Sequence, residues 1–289
     1  MKDKKTWEET IQYIRTLPEF NDLVEKAYFD ENLLLNIERF KKSEEFSETL
    51  NIINKHQPTA KSILDIGCGN GISAINFSLK NYTVTAVEPD KSNTVGAGAI
   101  KLVKDKLQLN NIEIFEEFAE NINFPSNSFD IVYVRQAMHH AVDLEKFMYE
   151  CVRVLKPKGL LLTIRDHVIF DNNDKKWFLN EHPLQKYYGG ENAFTPNEYR
   201  SAIENAGAKI KKELKYYDSV LNYFPTTKES IRNLEEIETN KQKKRIQNRI
   251  GFISKLPFMW SLYKLVKKYN PLNERKVPGR MYSYIAIKK

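Results

Sequence analysis

Short apolar runs and amphipathic stretches alternate through the middle of the chain. SILDI (62–66), TVTAVE (83–88), IEIFE (112–116), DIVYV (130–134) and LLLTIR (160–165) are too short for helices and are bounded by Gly, Pro, Asn or Asp. Between them, ISAINFSLK (72–80) and residues 92–107 and 144–155 repeat apolar positions at three and four. The last of these is stopped by Pro157 and Gly159. Buried strands alternating with amphipathic helices predict parallel βαβ units, and so a doubly wound α/β sheet covered on both faces. Ligands in such sheets bind beyond the carboxyl ends of the strands. The residues just after Ile66, Val87, Val134 and Ile164 are therefore where chemistry is expected.

The flanks read differently. IQYIRTL and LLLNIERFKKSEEFSETLNIINK are helical in pattern, and Pro58 marks the boundary with the first strand. Residues 1–57 are expected to be a helical lid over the ligand edge. Residues 166–196 read as a long aromatic and polar loop carrying Trp177, Tyr187 and Tyr188. A helix over 197–206 ends at Gly207, KIKKELKYY reads as a sixth strand, and RMYSYIAIKK as a final one. The expected plan is a lid (1–57), a core (58–218), a helical insertion (219–278) and the last strand of the core (279–289).

Charge singles out the insertion. The 289-residue chain carries a net +7, and residues 241–280 hold twelve Lys/Arg against one acid, Glu274. Ile246, Ile250, Phe252, Ile253, Leu256, Phe258, Met259, Trp260, Leu262, Leu265 and Val266 interleave with these bases. That mixture suits an interfacial helix, so peripheral contact with the inner face of a membrane is expected through 241–269, with Trp260 and Tyr263 at headgroup depth. A helical cap on the substrate site is the equal alternative. Nucleic-acid binding is the weaker one, because no RNA-binding module accompanies the bases. No run approaches eighteen apolar residues, and the charged start MKDKKTWEET lacks a signal core. A cytoplasmic chain with Cys68 and Cys151 reduced is the expectation.

The motif of most consequence is Asp65-Ile66-Gly67-Cys68-Gly69-Asn70-Gly71, directly after the first strand. A dinucleotide fingerprint would need a small residue at 72, which is Ile72. D-x-G-x-G-x-G instead resembles the S-adenosylmethionine (SAM) loop of class I methyltransferases. From Lys61 to about Asp166 the chain is similar to the group that includes quinone-biosynthesis enzymes. Phe118-Ala119-Glu120-Asn121-Ile122-Asn123-Phe124-Pro125 with Ser128-Phe129-Asp130, Arg135 to His140, and Arg153-Val154-Leu155-Lys156-Pro157-Lys158-Gly159 carry that similarity. It implies a Rossmann-like, seven-stranded sheet whose last strand is antiparallel. It also implies SAM as cofactor, S-adenosylhomocysteine as product, and a cofactor site of Asp65, Gly67, Cys68, Gly69, Gly71, Glu88, Pro89, Ala119, Glu120 and Arg135. Glu88 would take both ribose hydroxyls. Phe118 stands where the family has an aspartate for the adenine amino group, so that contact falls to the Ala119 backbone, Glu117 or Glu120. A further echo, in Tyr28-Phe29-Asp30, Arg39-Phe40, Ser43 to Phe46, Tyr188 to Phe194 and Gly279 to Tyr284, resembles methyltransferases of bacterial surface-polysaccharide clusters.

SAM supplies an activated methyl group, so the protein must align an acceptor and take the proton of an attacking hydroxyl. His139, His140 and His167, of five histidines, fall at the ends of strands four and five. Adjacent residues cannot both face the substrate, and His140 is the first candidate for the general base, ahead of His139. The pair Asp166-His167 is the second. No local spacing supports a metal site from His139, His140, Asp166, His167 and Glu181, and none is expected. The expected activity is O-methylation of a small-molecule acceptor, a sugar or nucleotide-linked sugar of capsule or lipopolysaccharide assembly. Alternatives are a quinone or lipid intermediate at the membrane surface, RNA, or SAM binding without catalysis.

Overall fold

The computed structural model describes residues 4–251, 258–267 and 269–289. Seven strands form one sheet in the order β3-β2-β1-β4-β5-β7-β6. They are β1 (Ser62–Ile66), β2 (Thr83–Val87), β3 (Ile112–Phe115), β4 (Phe129–Arg135), β5 (Leu155–His167), β6 (Ala208–Leu214) and β7 (Met281–Lys288). The first five pair in parallel, and β7 runs antiparallel between β5 and β6. The strand order reverses between β1 and β4. The crevice beyond their carboxyl ends is thus the natural ligand site.

Helices cover both faces. Helices α1 (Trp7–Arg15), α2 (Asn21–Lys26), α3 (Leu33–Lys41) and α4 (Glu44–His56) precede β1. Helices α5 (Ile72–Leu79), α6 (Ala97–Lys106) and α7 (Leu144–Val154) follow β1, β2 and β4. On one face Phe40, Phe46, Ile72, Ile75 and Phe77 pack over Tyr133. On the other Phe147, Met148, Cys151 and Tyr199 pack over Val132 and Val134. Both cysteines are free and buried.

The long helical pattern 33–55 is two helices, because Ser43 breaks it. Its hydroxyl donates to the Phe40 carbonyl and accepts the Phe46 N–H, capping α4. The stretch 166–196, expected as loop, contains α8 (Asn172–Glu181). Its cap is Asp171, whose carboxylate accepts the N–H groups of Asn173 and Asp174. Helix α6 starts at Ala97 rather than near 92, since a side chain on Gly96 would overlap the Asp90 backbone and the segment before it turns tightly.

Beyond β5 lie α9 (Pro196–Asn205), α10 (Val220–Tyr223), α11 (Lys228–Ile250) and α12 (Met259–Lys267), the last three between β6 and β7. Of the apolar set expected to meet a membrane, Phe252, Ile253, Leu256 and the side chain of Ile250 lie outside the described residues. Trp260 and Tyr263 are half-buried. They stack on one another at 5.6 Å, and the Tyr263 hydroxyl takes a hydrogen bond from Gln242 of α11.

Candidate active site

A cavity of about 800 Å³ opens at the carboxyl ends of β1, β2, β4 and β5. Trp7, Leu23, Lys26 and Phe29 from the N-terminal helices form one wall. Trp7 meets Phe29 and Tyr188 edge to face, which fastens that wall to the segment after α8.

The glycine loop is the floor at β1. Gly67, Gly69 and Gly71 have φ of 63°, 55° and 80°, conformations that L side chains avoid. A methyl on Gly67 would also overlap the Ala137 side chain. The backbone can therefore be approached closely from the cavity. Glu88, almost fully buried, faces the same space. Its Oε2 accepts the Gly69 N–H at 2.7 Å and its Oε1 the Asp90 N–H at 2.9 Å, leaving further lone pairs on both oxygens. Burial raises its pKa to about 7 against the pull of those two N–H groups.

The predicted residues separate into those at the cavity and those behind it. Cys68, Pro89, Ala119 and Glu120 line it with Gly67, Gly69 and Glu88. Asp65 does not: it is fully buried, accepts the Ser73 hydroxyl at 2.5 Å and is pushed up to about 7 by desolvation. Gly71 is packed against Ile100 and caps α5. Phe118 is exposed at the rim, and Glu120 accepts the Val142 N–H. Arg135 reaches the cavity wall, but its guanidinium is committed elsewhere. It binds both oxygens of buried Glu45, at 2.6 and 3.1 Å, and the Gln136 side chain at 2.8 Å. These bonds tie α4 to β4 at the cavity wall.

The histidines converge beside this floor. His139 and His140 form a single 3-10 turn after β4. Asp166 and His167, expected past β5, are its last two residues. The pairing of β5 with β7 slips between Thr163 and Asp166, where Arg165 takes φ of 64°. A bulge of this kind re-aims side chains. Here Asp166 Oδ1 accepts the backbone N–H of His139 at 3.0 Å and stands 2.9 Å from its ring Nδ1. His167 Nδ1 stands 2.9 Å from the Gly279 carbonyl, and His140 Nδ1 3.3 Å from the Gly190 carbonyl. Carbonyls only accept, so both rings carry the proton on Nδ1 and leave Nε2 free. Burial, helped by the neighbouring histidines, holds His139 well below 6.5 and His167 near 3. Asp166 is raised by burial to about 8. Asp166 itself sits behind the cavity, while His139, His140 and His167 line it.

Two residues absent from the sequence-based set join them. His182 lines the cavity, and Glu191, 9% exposed, stands with its Oε2 3.8 Å from Nε2 of both His139 and His182. Burial raises Glu191 to about 7. Its signal in the sequence is its place after Gly189-Gly190, within the Tyr188 to Phe194 stretch that resembles polysaccharide-cluster methyltransferases.

Residues 64–163 match the family model described as a methyltransferase domain. With the glycine loop, the acid after β2 and the seven-stranded topology, the core is a class I SAM-dependent methyltransferase domain, with SAM as its cofactor. Its curated relatives include quinone-biosynthesis enzymes. The chain is 26% identical over 165 residues to a ubiquinone biosynthesis O-methyltransferase of Rickettsia bellii, covering 52% of this chain and 62% of that relative. The aligned part is thus less than two thirds of the relative's length. Among solved structures, the YcgJ protein of Bacillus subtilis superposes with a TM-score of 0.52 at 19% identity, covering 85% of this chain and 99% of that one. Geranyl diphosphate C-methyltransferase of Streptomyces coelicolor superposes with a TM-score of 0.56 at 14% identity, covering 84% and 79%. These structural likenesses establish the fold.

The floor fits SAM. The left-handed glycines give close approach for the methionine and ribose part, and Glu88 has lone pairs for two hydroxyls. The Phe118 ring, 69% exposed, offers a face for a flat base where the family carries an acid.

Proposed function

We propose that the protein transfers the methyl group of SAM to a hydroxyl oxygen of a small, ring-bearing acceptor, with His140 taking the hydroxyl proton. SAM supplies the activated methyl. The chain's own work is to hold the acceptor, exclude water and receive one proton. The observation that carries the reading is the common cavity: the glycine loop and Glu88 at one end, and imidazoles with fixed Nδ1–H groups at the other. His140 is the favoured base because its ring is the more accessible of the adjacent pair, while His139 is buried against Asp166.

The cavity walls are largely aromatic and aliphatic: Trp7, Phe29, Phe147, Phe178, Leu184 and Tyr188. Such walls favour a flat, weakly polar ring over a sugar, although aromatic faces serve both. The Rickettsia relative, named for ubiquinone biosynthesis, points the same way. We therefore place hydroxylated aromatic acceptors of the quinone-precursor type ahead of nucleotide-linked sugars. The test is a methyl-transfer screen with labelled SAM against catechols, phenols and nucleotide sugars. Turnover of a phenolic acceptor that depends on His140 supports the reading. Turnover of sugars alone moves the acceptor class, and SAM binding with no turnover leaves a binding protein.

An exposed apolar strip supports a peripheral membrane contact. Phe258, Leu262, Leu265 and Val266 are 60%, 47%, 76% and 67% exposed, and Lys264 and Lys267 lie on the same helix, α12. This strip replaces Trp260 and Tyr263 as the inserting surface. Anionic lipid would meet the basic residues as the apolar ones enter the interface. No helix among the described residues is long and apolar enough to cross a membrane.

A further inference from the structure

We propose that His139, His167 and Glu191 form a three-ligand site for a divalent d-block metal ion in the wall of the cavity. One donor atom from each lies within 4.8 Å of the other two. The three come from separate parts of the chain: the turn after β4, the end of β5 and the segment after α8. No short spacing in the sequence reveals them, and the acid is Glu191 rather than Glu181.

The hydrogen bonding around the imidazoles argues for ligands. A metal-binding histidine usually gives its other ring N–H to a carboxylate or a backbone carbonyl, which fixes tautomer and orientation. His139 does so to Asp166, and His167 to the Gly279 carbonyl. With Asp166 ionised, its Oδ1 accepts from His139 Nδ1–H, the tautomer that leaves Nε2 free for an ion. Both rings are buried, and with Nδ1 bonded to its neighbour each turns Nε2 to the other donors. The 3.8 Å between His139 Nε2 and Glu191 Oε2 is too long for a hydrogen bond. Two donors about 2.1 Å from a tetrahedral ion stand about 3.4 Å apart, so a small closure suffices.

Two imidazoles and one carboxylate select zinc, iron(II), cobalt(II) or nickel over magnesium or calcium, which prefer all-oxygen shells. The ligands line the cavity, so an open coordination position would face the acceptor. An ion there would hold the acceptor oxygen and lower the pKa of its hydroxyl, beside His140, which takes the proton. The inference goes beyond the proposed methyl transfer, and metal binding stands or falls without any acceptor.

The test uses the tag-free full chain, stripped with a chelator and titrated with Zn2+ by calorimetry. The expected result is one ion per chain with micromolar or tighter affinity. Glu191→Gln and His167→Gln should each weaken it at least thirtyfold, and Asp166→Asn about tenfold through His139. His56→Ala, at the far end of α4, should leave it unchanged. Circular dichroism and thermal melts keep a folding failure distinct from a lost ligand. With Co2+, visible absorption bands should appear for the wild type and be absent for Glu191→Gln. The proposal is overturned if folded protein shows no saturable Zn2+ binding below about 100 μM. It is equally overturned if Glu191→Gln binds like His56→Ala, or if Mg2+ binds as tightly as Zn2+.

Discussion

Glu88 is the residue on which cofactor binding should depend most steeply. Each of its oxygens holds one backbone N–H, from Gly69 or Asp90, and has room for one hydroxyl. Hydrogen bonds to a charged acceptor contribute about 1.5–3 kcal/mol each. Two of them at the low end give about 3 kcal/mol, or about 150-fold in Kd. Glu88→Ala should therefore weaken S-adenosylhomocysteine binding at least a hundredfold in calorimetry at pH 8. The pKa of about 7 adds a second signature. The carboxylate must be ionised to accept both hydroxyls, so binding below pH 7 carries the cost of deprotonation. Between pH 8 and pH 6 the wild type should lose about tenfold in affinity, and Glu88→Gln, which has no such proton to lose, should stay flat. A folded Glu88→Ala protein within threefold of the wild type would refute this reasoning, and an equal pH slope in Glu88→Gln would refute its electrostatic half.

Other expectations follow from the same geometry. Gly67→Ala puts a side chain at positive φ and into the Ala137 methyl, so cofactor affinity should fall at least tenfold while the circular dichroism spectrum is kept; unchanged affinity would mean the loop does not face the cofactor. His140→Asn should lower kcat for an accepted acceptor by about 10²–10⁴ with cofactor binding intact; if His139→Asn alone does so, the base is the Asp166-backed ring. Removing the largely buried Arg135 from fully buried Glu45, as in Arg135→Met, should cost about 3–5 kcal/mol in urea unfolding, and a loss under 1 kcal/mol would show that water reaches the pair. Burial raises the Asp65 pKa from 3.8 to about 7, so the folded state binds more protons than the unfolded one across that window and stability falls as pH rises through it. Relative to the wild type, ligand-free Asp65→Asn should gain stability from pH 4 to pH 7, up to about 4 kcal/mol; a difference that does not change with pH would contradict desolvation as the cause. Leu265→Asp with Val266→Asp should abolish sedimentation with phosphatidylserine-containing vesicles, and equal sedimentation would place the membrane contact elsewhere.

What the sequence made legible follows from the range of the interactions involved. The strands were readable because burial on both faces leaves an uninterrupted apolar run, and SILDI and LLLTIR have few other meanings. The glycine loop was readable because positive φ at three alternate residues demands glycine, and Glu88 because it follows β2, where the resemblance to SAM loops implies an acid. Helix α8 was hidden because WFLN sits among polar residues and only Phe178 is buried, so its one local signal was the Asp171 cap. The break at Ser43 was hidden for a similar reason, since a single hydroxyl bonding both ways outweighs a continuous helical period.

The side chains of the acceptor end are where local reading stops. Arg135 follows β4 in a motif, and nothing near it in sequence says that Glu45, ninety residues earlier, will take its guanidinium. Asp166 reaches His139 because a bulge at Arg165 turns the end of β5. A strand that continued its alternation would point adjacent residues to opposite faces. Asp166 and His167 instead both serve the same cluster, one from behind His139 and one from the cavity wall. Glu191 completes it from a segment with no local spacing to His139 or His167. The cofactor end of the cavity is thus written largely in one glycine motif and the acid that follows β2, whereas the acceptor end is assembled from β4, β5, the segment after α8 and the N-terminal helices. A fold can keep the first while changing the second residue by residue. For this protein the substrate question therefore resolves into measurable properties of His139, His140, His167 and Glu191.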